Sequence, residues 1–260
     1  MSRPLKFDLT KEYINNNGCV MKIVEYKNRS NVIVEFQDKH KARVHTTLSN
    51  IRNKNVKNPY YPSVFDIGII GNKCPVYISK GNPVKEYTMW KAMLNRCFYK
   101  QNNNVQCYRD CKICDEWILY ENFYKWVHEQ ENFIKLYNSN IRFDVEKDIL
   151  IKRNIIYSPE TCCLVPHNVN ALFVKQQFRR GKYPIGVCYD KEQNKYASYL
   201  CINGKQRRID RFDTVEEAFE NYKVEKEKLI KKIAQEEYEL CNITKRCYDA
   251  MMNYEVEITD

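Results

Sequence analysis

The stretch from Phe143 to Phe173 constrains the fold more than any other part of this chain. It opens with Phe143-Asp144-Val145-Glu146-Lys147-Asp148-Ile149-Leu150, a strand that carries acidic and basic side chains. It passes Asn154 in a polar loop and continues through Tyr157-Ser158-Pro159-Glu160-Thr161-Cys162-Cys163-Leu164-Val165-Pro166. His167-Asn168-Val169-Asn170-Ala171-Leu172-Phe173 then reads as a helix. Strand, loop and helix in this order gather carboxylates, amides and an imidazole into one small element. Cys162 and Cys163 are adjacent and point to opposite sides of an extended chain, so at least one belongs to the core.

The chain has 260 residues, enough to bury a real core or to split into two or three small domains. Its net charge of +10 favours a polyanionic partner. The charge is uneven: Lys175 to Arg211 holds ten Lys and Arg against three Asp and Glu, while Glu236 to Asp260 holds seven acidic residues against two basic ones. A basic block followed by an acidic tail is a common layout for a nucleic-acid binder whose tail stays off the nucleic acid. Twelve cysteines raise the question of a disulfide scaffold. The polar start, Ser2-Arg3-Pro4-Leu5-Lys6-Phe7-Asp8, is no secretory signal, and a chain of this size needs no staples, so reduced thiols in a cytoplasm are expected. No apolar run approaches the length of a membrane span, so no membrane association is expected.

Residues 1–65 read as a small β-rich unit of three or four strands. Val20 to Tyr26 and Asn31 to Phe36 alternate apolar and polar positions about the turn Lys27-Asn28-Arg29-Ser30, and Ala42 to Thr47 supplies a third strand. Residues 66–86 carry Gly68, Gly71, Pro75, Gly81 and Pro83 and read as a connector. A helix is expected from about Thr88, with Trp90, Met93, Leu94 and Cys97 on one face, and another over Tyr120 to Glu129. After a basic linker, Gln176 to Lys182, three strands are expected at Pro184 to Asp190, Lys195 to Ile202 and Arg207 to Phe212. Asn203-Gly204 suits a tight hairpin turn. Thr214 and Glu217 form a capping-box pattern, and Ala218, Phe219, Tyr222, Leu229, Ile230 and Ile233 give the following helix an apolar stripe.

On these residues the Phe143–Phe173 stretch resembles the HNH endonucleases of phages and mobile elements. Tyr157 to Cys163 is similar to a characteristic loop of the phage subfamily. Trp90-Lys91-Ala92-Met93-Leu94-Asn95-Arg96-Cys97 and Cys114-Asp115-Glu116-Trp117, with Asn122-Phe123 and Trp126, are similar to its helical lead-in. The resemblance implies a ββα-metal core over residues 87–175 that hydrolyses DNA phosphodiester bonds with Mg²⁺ or a similar divalent ion. It implies a metal set of Glu146, His167 and Asn170, an orienting role for Asn154, and a general base at the position of Lys147. The family's histidine is absent there. Three alternatives stand: Lys147 acts as base with a lowered pKa, Asp148 takes the role, or the site is silent and the fold survives as a binding scaffold.

Residues 184–235 resemble the AP2 DNA-binding domain, through Gly186-Val187, Tyr196-Ala197, Arg207-Arg208, Arg211-Phe212-Asp213-Thr214, Glu216-Glu217-Ala218-Phe219 and Tyr222. That family's Leu-Gly is Ile209-Asp210 here. The resemblance implies a three-stranded sheet laid on double-stranded DNA and backed by a helix, with Lys195, Tyr196, Arg207, Arg208 and Arg211 in contact. Arg179, Arg180 and Lys182 of the linker are expected to join them. If Arg207 and Arg208 both touch phosphate, removing the pair reduces the salt slope of binding by roughly 2. Cys97, Cys107, Cys111 and Cys114 allow a structural Zn²⁺, but the spacing departs from two separated Cys-x2-Cys pairs and small buried thiols are the favoured reading. The expected fold class is α+β: an N-terminal β-rich unit, a ββα core with a helical lead-in, an AP2-like sheet and helix, and an acidic tail over 236–260. The expected function is a homing or nicking endonuclease in the cytoplasm of a bacterial host, or else a catalytically silent DNA- or protein-binding module. The sequence specifies no oligomeric state.

Overall fold

A computed structural model describes residues 11–98, 110–174, 181–202 and 204–260. The protein is a mixed α+β chain with several small sheets. Its described residues form two compact units, 11–98 with 115–124, and 110–114 with 125–260.

The first unit is built on a four-stranded antiparallel meander, β1 (Glu12–Ile14), β2 (Val20–Asn28), β3 (Asn31–Phe36) and β4 (Arg43–Thr46). Alternation does the work: Met21 and Ile23 on β2, and Val32, Val34 and Phe36 on β3, point to one face and are at most 1% exposed. Each such side chain contributes about 1.5–3 kcal/mol of burial. The buried Asn15 closes the turn before β2, accepting from the Asn17 and Cys19 amides and donating to the Val56 carbonyl. A short helix, α1 (Leu48–Arg52), is capped by the Thr47 hydroxyl.

The stretch 66–86, expected as a connector, is packed into this unit. It contains a small hairpin, β5 (Tyr77–Ser79) with β6 (Asn82–Pro83), before α2 (Lys85–Phe98). Gly68 lies so close to Trp90 and Leu94 that a Cβ would sit 2.6 Å from Leu94 and 2.8 Å from the indole. Further along, the Glu121 carboxylate accepts from the Asn72 and Lys73 amides, both at 2.7 Å. The Trp90 indole donates to the Trp117 carbonyl at 2.6 Å. The expected boundaries at 65 and 87 therefore fall inside one unit, because the glycines serve close packing rather than a linker. α3 (Tyr120–Glu129) has the bounds the sequence suggests, whereas α2 starts three residues before Thr88.

The second unit holds the parallel pair β7 (Lys112–Ile113) and β9 (Ile156–Tyr157), then α4 (Phe133–Asn138), and the antiparallel pair β8 (Phe143–Glu146) and β10 (Cys163–Pro166) leading into α5 (His167–Phe173). An antiparallel sheet of β11 (Val187–Asp190), β12 (Lys195–Ile202) and β13 (Lys205–Phe212) follows. Its hairpin turn includes Gly204 at φ +73°. The long helix α6 (Val215–Glu239) starts in a complete capping box between Thr214 and Glu217. Its buried stripe, Ala218, Phe219, Tyr222, Lys226, Ile230 and Ala234, steps by about one turn. The first part packs with Val187 and Leu200 of the sheet; Ile230 and Ala234 pack with Val165, Val169 and Phe173. One helix thus belongs to two cores, and the β8/β10/α5 element shares a unit with the three-stranded sheet.

Residues 236–260 are folded rather than forming a free acidic tail. They finish α6 and form α7 (Lys245–Met252), which buries Cys247 and Met251, and Val256 and Asp260 are only 4% and 5% exposed. Of the acidic side chains, Glu236, Glu239, Asp249, Glu255 and Glu257 are exposed, while Ile243, Cys247 and Met251, four residues apart, line up inward. Among the described residues, no helix is long and apolar enough to cross a membrane.

Candidate functional site

The period of two along β8 sends Phe143 and Val145 to one side and Asp144 and Glu146 to the other. Register decides which acid matters. Asp144 stands opposite Val165 and Phe143 opposite Pro166, so Asp144 lies beside the start of α5. The His167 amide donates to the Arg142 carbonyl at 2.8 Å and fixes that corner. His167 Nδ1 is 2.5 Å from Asp144 Oδ2, and Asn170, one turn on, donates to the same oxygen at 3.0 Å. Arg142 Nε lies 4.0 Å from the other oxygen. Burial alone would raise the Asp144 pKa, but the hydrogen bonds from Asn170 and His167 and the charges of His167 and Arg142 hold it below the usual carboxylate range. The His167 side chain remains 48% exposed. An ionised carboxylate on Nδ1 orients the imidazole and leaves Nε2 outside that bond, an arrangement suited to proton transfer or metal ligation.

Asp144 was not among the residues expected here. The signal that could have found it is its spacing of two from Glu146, but only the register with Pro166 shows which acid meets the helix. Glu146, expected as the metal ligand, is turned inward. It is 8% exposed, and Oε1 accepts from the Lys147 and Asp148 amides at 2.9 and 2.7 Å. The expected set of Glu146, His167 and Asn170 therefore does not assemble; Asp144, not Glu146, lies beside His167 and Asn170.

Burial pushes the Glu146 pKa up to about 7 despite those amides. The folded protein thus binds this proton more tightly than the unfolded chain. The contribution to stability is complete below the ordinary pKa of 4.5 and is lost as pH rises through about 7. At pH 8.5 the loss is roughly 3 kcal/mol. Glu146→Gln, which keeps the acceptor, should flatten the decline between pH 5.5 and 8.5 in urea unfolding. An equal decline in both proteins would remove Glu146 as its source.

Lys147 is likewise committed. Its Nζ donates to both Asp148 oxygens at 2.8 Å and to the Asn154 carbonyl at 2.6 Å. Burial works against its charge, but the Asp148 hydrogen bonds and charge prevail and the pKa is raised. An ammonium held this way clamps the loop, and its raised pKa works against the role of general base. Asp148 is occupied by the same pair. Asn154, expected to orient a base, staples the loop instead, donating to the Lys147 and Ile156 carbonyls and accepting from the Ile156 amide. The Tyr157–Cys163 loop is also spent on itself: the Thr161 hydroxyl accepts from the Ser158 amide and donates to the Ile156 carbonyl. Cys162 and Cys163 are both buried, and burial lifts the Cys162 thiol to about 12.

Among the described residues, no group of three or more His, Cys, Asp or Glu side chains converges as a metal site. Cys111 and Cys114 flank β7, Cys97 lies in the other unit, and Cys107 lies outside the described residues.

The three-stranded sheet carries the second group of candidates. Arg208 stands opposite Tyr199, and Arg207 opposite the buried Leu200. Paired residues share a face, so Arg208 projects from the side away from α6, with Tyr199, Lys195 and Arg211, and Arg207 from the α6 side. Both arginines are exposed and have no ion-pair partner among the described residues. Arg211 Nε pairs with Asp190 at 2.8 Å, and Lys195 with Asp213 at 3.2 Å. Tyr196 is turned toward the helix side, within 5.5 Å of the Tyr183 ring. Lys182 lies over Tyr183; Arg179 and Arg180 lie outside the described residues. The chain matches no family model, and no curated protein or solved structure is detectably similar to it.

Proposed function

We propose that the protein binds double-stranded DNA on the sheet face bearing Arg208 and hydrolyses its phosphodiester bonds at Asp144, His167 and Asn170, as an HNH-type homing or nicking endonuclease. The observation that carries the reading is the half-exposed His167, at the start of α5, held by the Asp144 carboxylate, whose own side chain is 19% exposed. Asp144 offers a carboxylate and His167 a ring nitrogen, donors that suit Mg²⁺ or a similar ion, while Asn170 gives its amide hydrogen to Asp144. Such an ion would supply charge stabilisation to the phosphate and an activated water. Asp144 holds the imidazole in place, and Asn170 donates to the same carboxylate oxygen. Supercoiled plasmid incubated with the protein and Mg²⁺, Mn²⁺ or EDTA tests this: nicking is expected with metal and lost with EDTA.

A second reading, a catalytically silent DNA-binding module, is favoured by the locked Lys147. Salt-sensitive plasmid binding without nicking under any metal would select it. For the binding face itself, Arg208→Ala should reduce the slope of log K against log salt by about 1, and Arg207→Ala by much less. This revises the value of 2 expected when both were placed on phosphate. Equal effects from the two would mean that the outer face is not the contact surface.

A further inference from the structure

Lys152 and Arg153, in the loop between β8 and β9, are covered by the chain's own acidic segment. Lys152 Nζ donates to the Glu255 carbonyl at 2.8 Å and pairs with Glu257 at 2.8 Å and Asp260 at 3.0 Å. Arg153 donates to Glu257 Oε2 and to the Thr259 hydroxyl, both at 2.5 Å. Five oxygens therefore surround two adjacent cations, and the Glu257 carboxylate bridges both, the way a phosphate group with several acceptor oxygens is bridged. The segment shapes itself to do this, with the Glu257 amide donating to Asp260 Oδ2 at 3.0 Å and the Asp260 amide to the Glu257 carbonyl at 2.9 Å.

Apolar anchoring of the segment is slight. Val256 is buried, and Tyr254 packs edge-on against Phe173 at 4.9 Å, but beyond Val256 the exposed apolar side chain is Ile258. Glu257 and Arg153 are 48% and 54% exposed, so their pair is of the surface kind, worth at most about 1 kcal/mol. That pair exchanges readily for contacts to a polyanion, whereas the Lys152–Asp260 pair, with side chains 23% and 3% exposed, is the contact a polyanion must open. The cations also lie near the proposed site: Lys152 stacks over Tyr254, which touches the last residue of α5, and α5 is about 10 Å long from His167.

We infer that Lys152 and Arg153 form a binding site for the phosphodiester backbone of nucleic acid, filled in the free protein by the Glu255–Asp260 segment, which a backbone displaces. The inference rests on the DNA-binding reading and adds a second contact point and a built-in competitor. Glu257→Gln with Asp260→Asn in the full chain removes the competing charges while keeping size. This double variant should bind a short duplex about tenfold more tightly at moderate salt, with a salt slope steeper by about 2. Glu257→Gln alone, a change at an exposed side chain, should steepen it by about 1. Inorganic tripolyphosphate should bind the double variant, and Lys152→Ala in that background should abolish the binding. Wild-type affinity and slope in both variants, with Arg208→Ala still weakening the duplex complex, would overturn the inference and leave the DNA reading standing. If no protein binds duplex, the DNA reading fails, and the tripolyphosphate result alone decides: binding that depends on Lys152 keeps the anion site, and its absence removes it.

Discussion

His167→Ala is expected to lower metal-dependent plasmid nicking by about 10²-fold or more while leaving plasmid binding unchanged. The ring is half-exposed at the first position of α5, where Pro166, not His167, occupies the cap, so little packing depends on it. What is lost is the nitrogen that Asp144 orients. Asp144→Asn keeps the shape and removes the charge, so it should reduce nicking about 10- to 100-fold, the range seen when the partner of a functional histidine is removed. Lys147→Met gives the opposing case. It leaves Asp148 and the Asn154 carbonyl without their partner, and the cost falls on stability, at about 3 kcal/mol for a mostly buried pair. Nicking per folded molecule should persist. Loss of nicking in folded Lys147→Met, with His167→Ala unaffected, would return the chemistry to the strand position where the HNH resemblance first placed it.

The contrast between these positions shows what the sequence made legible. Local patterns carried through: the alternation of Val32, Val34 and Phe36 gave β3, the Thr214/Glu217 pattern gave the capping box, and the helical pattern after Pro166 gave α5. What stayed hidden depends on which strand positions face each other. Glu146 and Asp144 alternate identically in sequence, and only their pairing with Cys163 and Val165 separates a buried acid from one beside His167. Lys147 reads as a vacant base position because its partner carbonyl, Asn154, is seven residues away across a loop. Residues 236–260 read as a tail because acidic side chains dominate their composition and dilute the Ile243, Cys247, Met251 spacing that docks α7. Adjacent Arg207 and Arg208 looked equivalent, and the pleat divides them between two faces.

Gly186→Ala should destabilise the second unit by about 3 kcal/mol, through two separate costs. Gly186 has φ +78°, a left-handed conformation that an L residue adopts at about 1–2 kcal/mol. Its Cβ would also sit 2.1 Å from Cδ2 and 2.3 Å from Cγ of Tyr222. Those are ring atoms near the root of a buried side chain, so the clash cannot be relieved by swinging a flexible end. Either α6 shifts off the sheet or β11 lifts, at about 1–3 kcal/mol for an overpacked core. Lifting β11 breaks the Tyr199 amide's 2.7 Å bond to the Gly186 carbonyl and loosens the strand that carries Arg208's neighbour Tyr199. Gly204→Ala separates the two costs. Gly204 has φ +73° in the same sheet, but a Cβ there meets nothing within 4 Å, so only the conformational cost of about 1 kcal/mol remains. Urea unfolding of the two variants measures the difference. A Gly186→Ala midpoint equal to that of Gly204→Ala would show that Tyr222 yields freely and that the sheet does not depend on this close approach to α6.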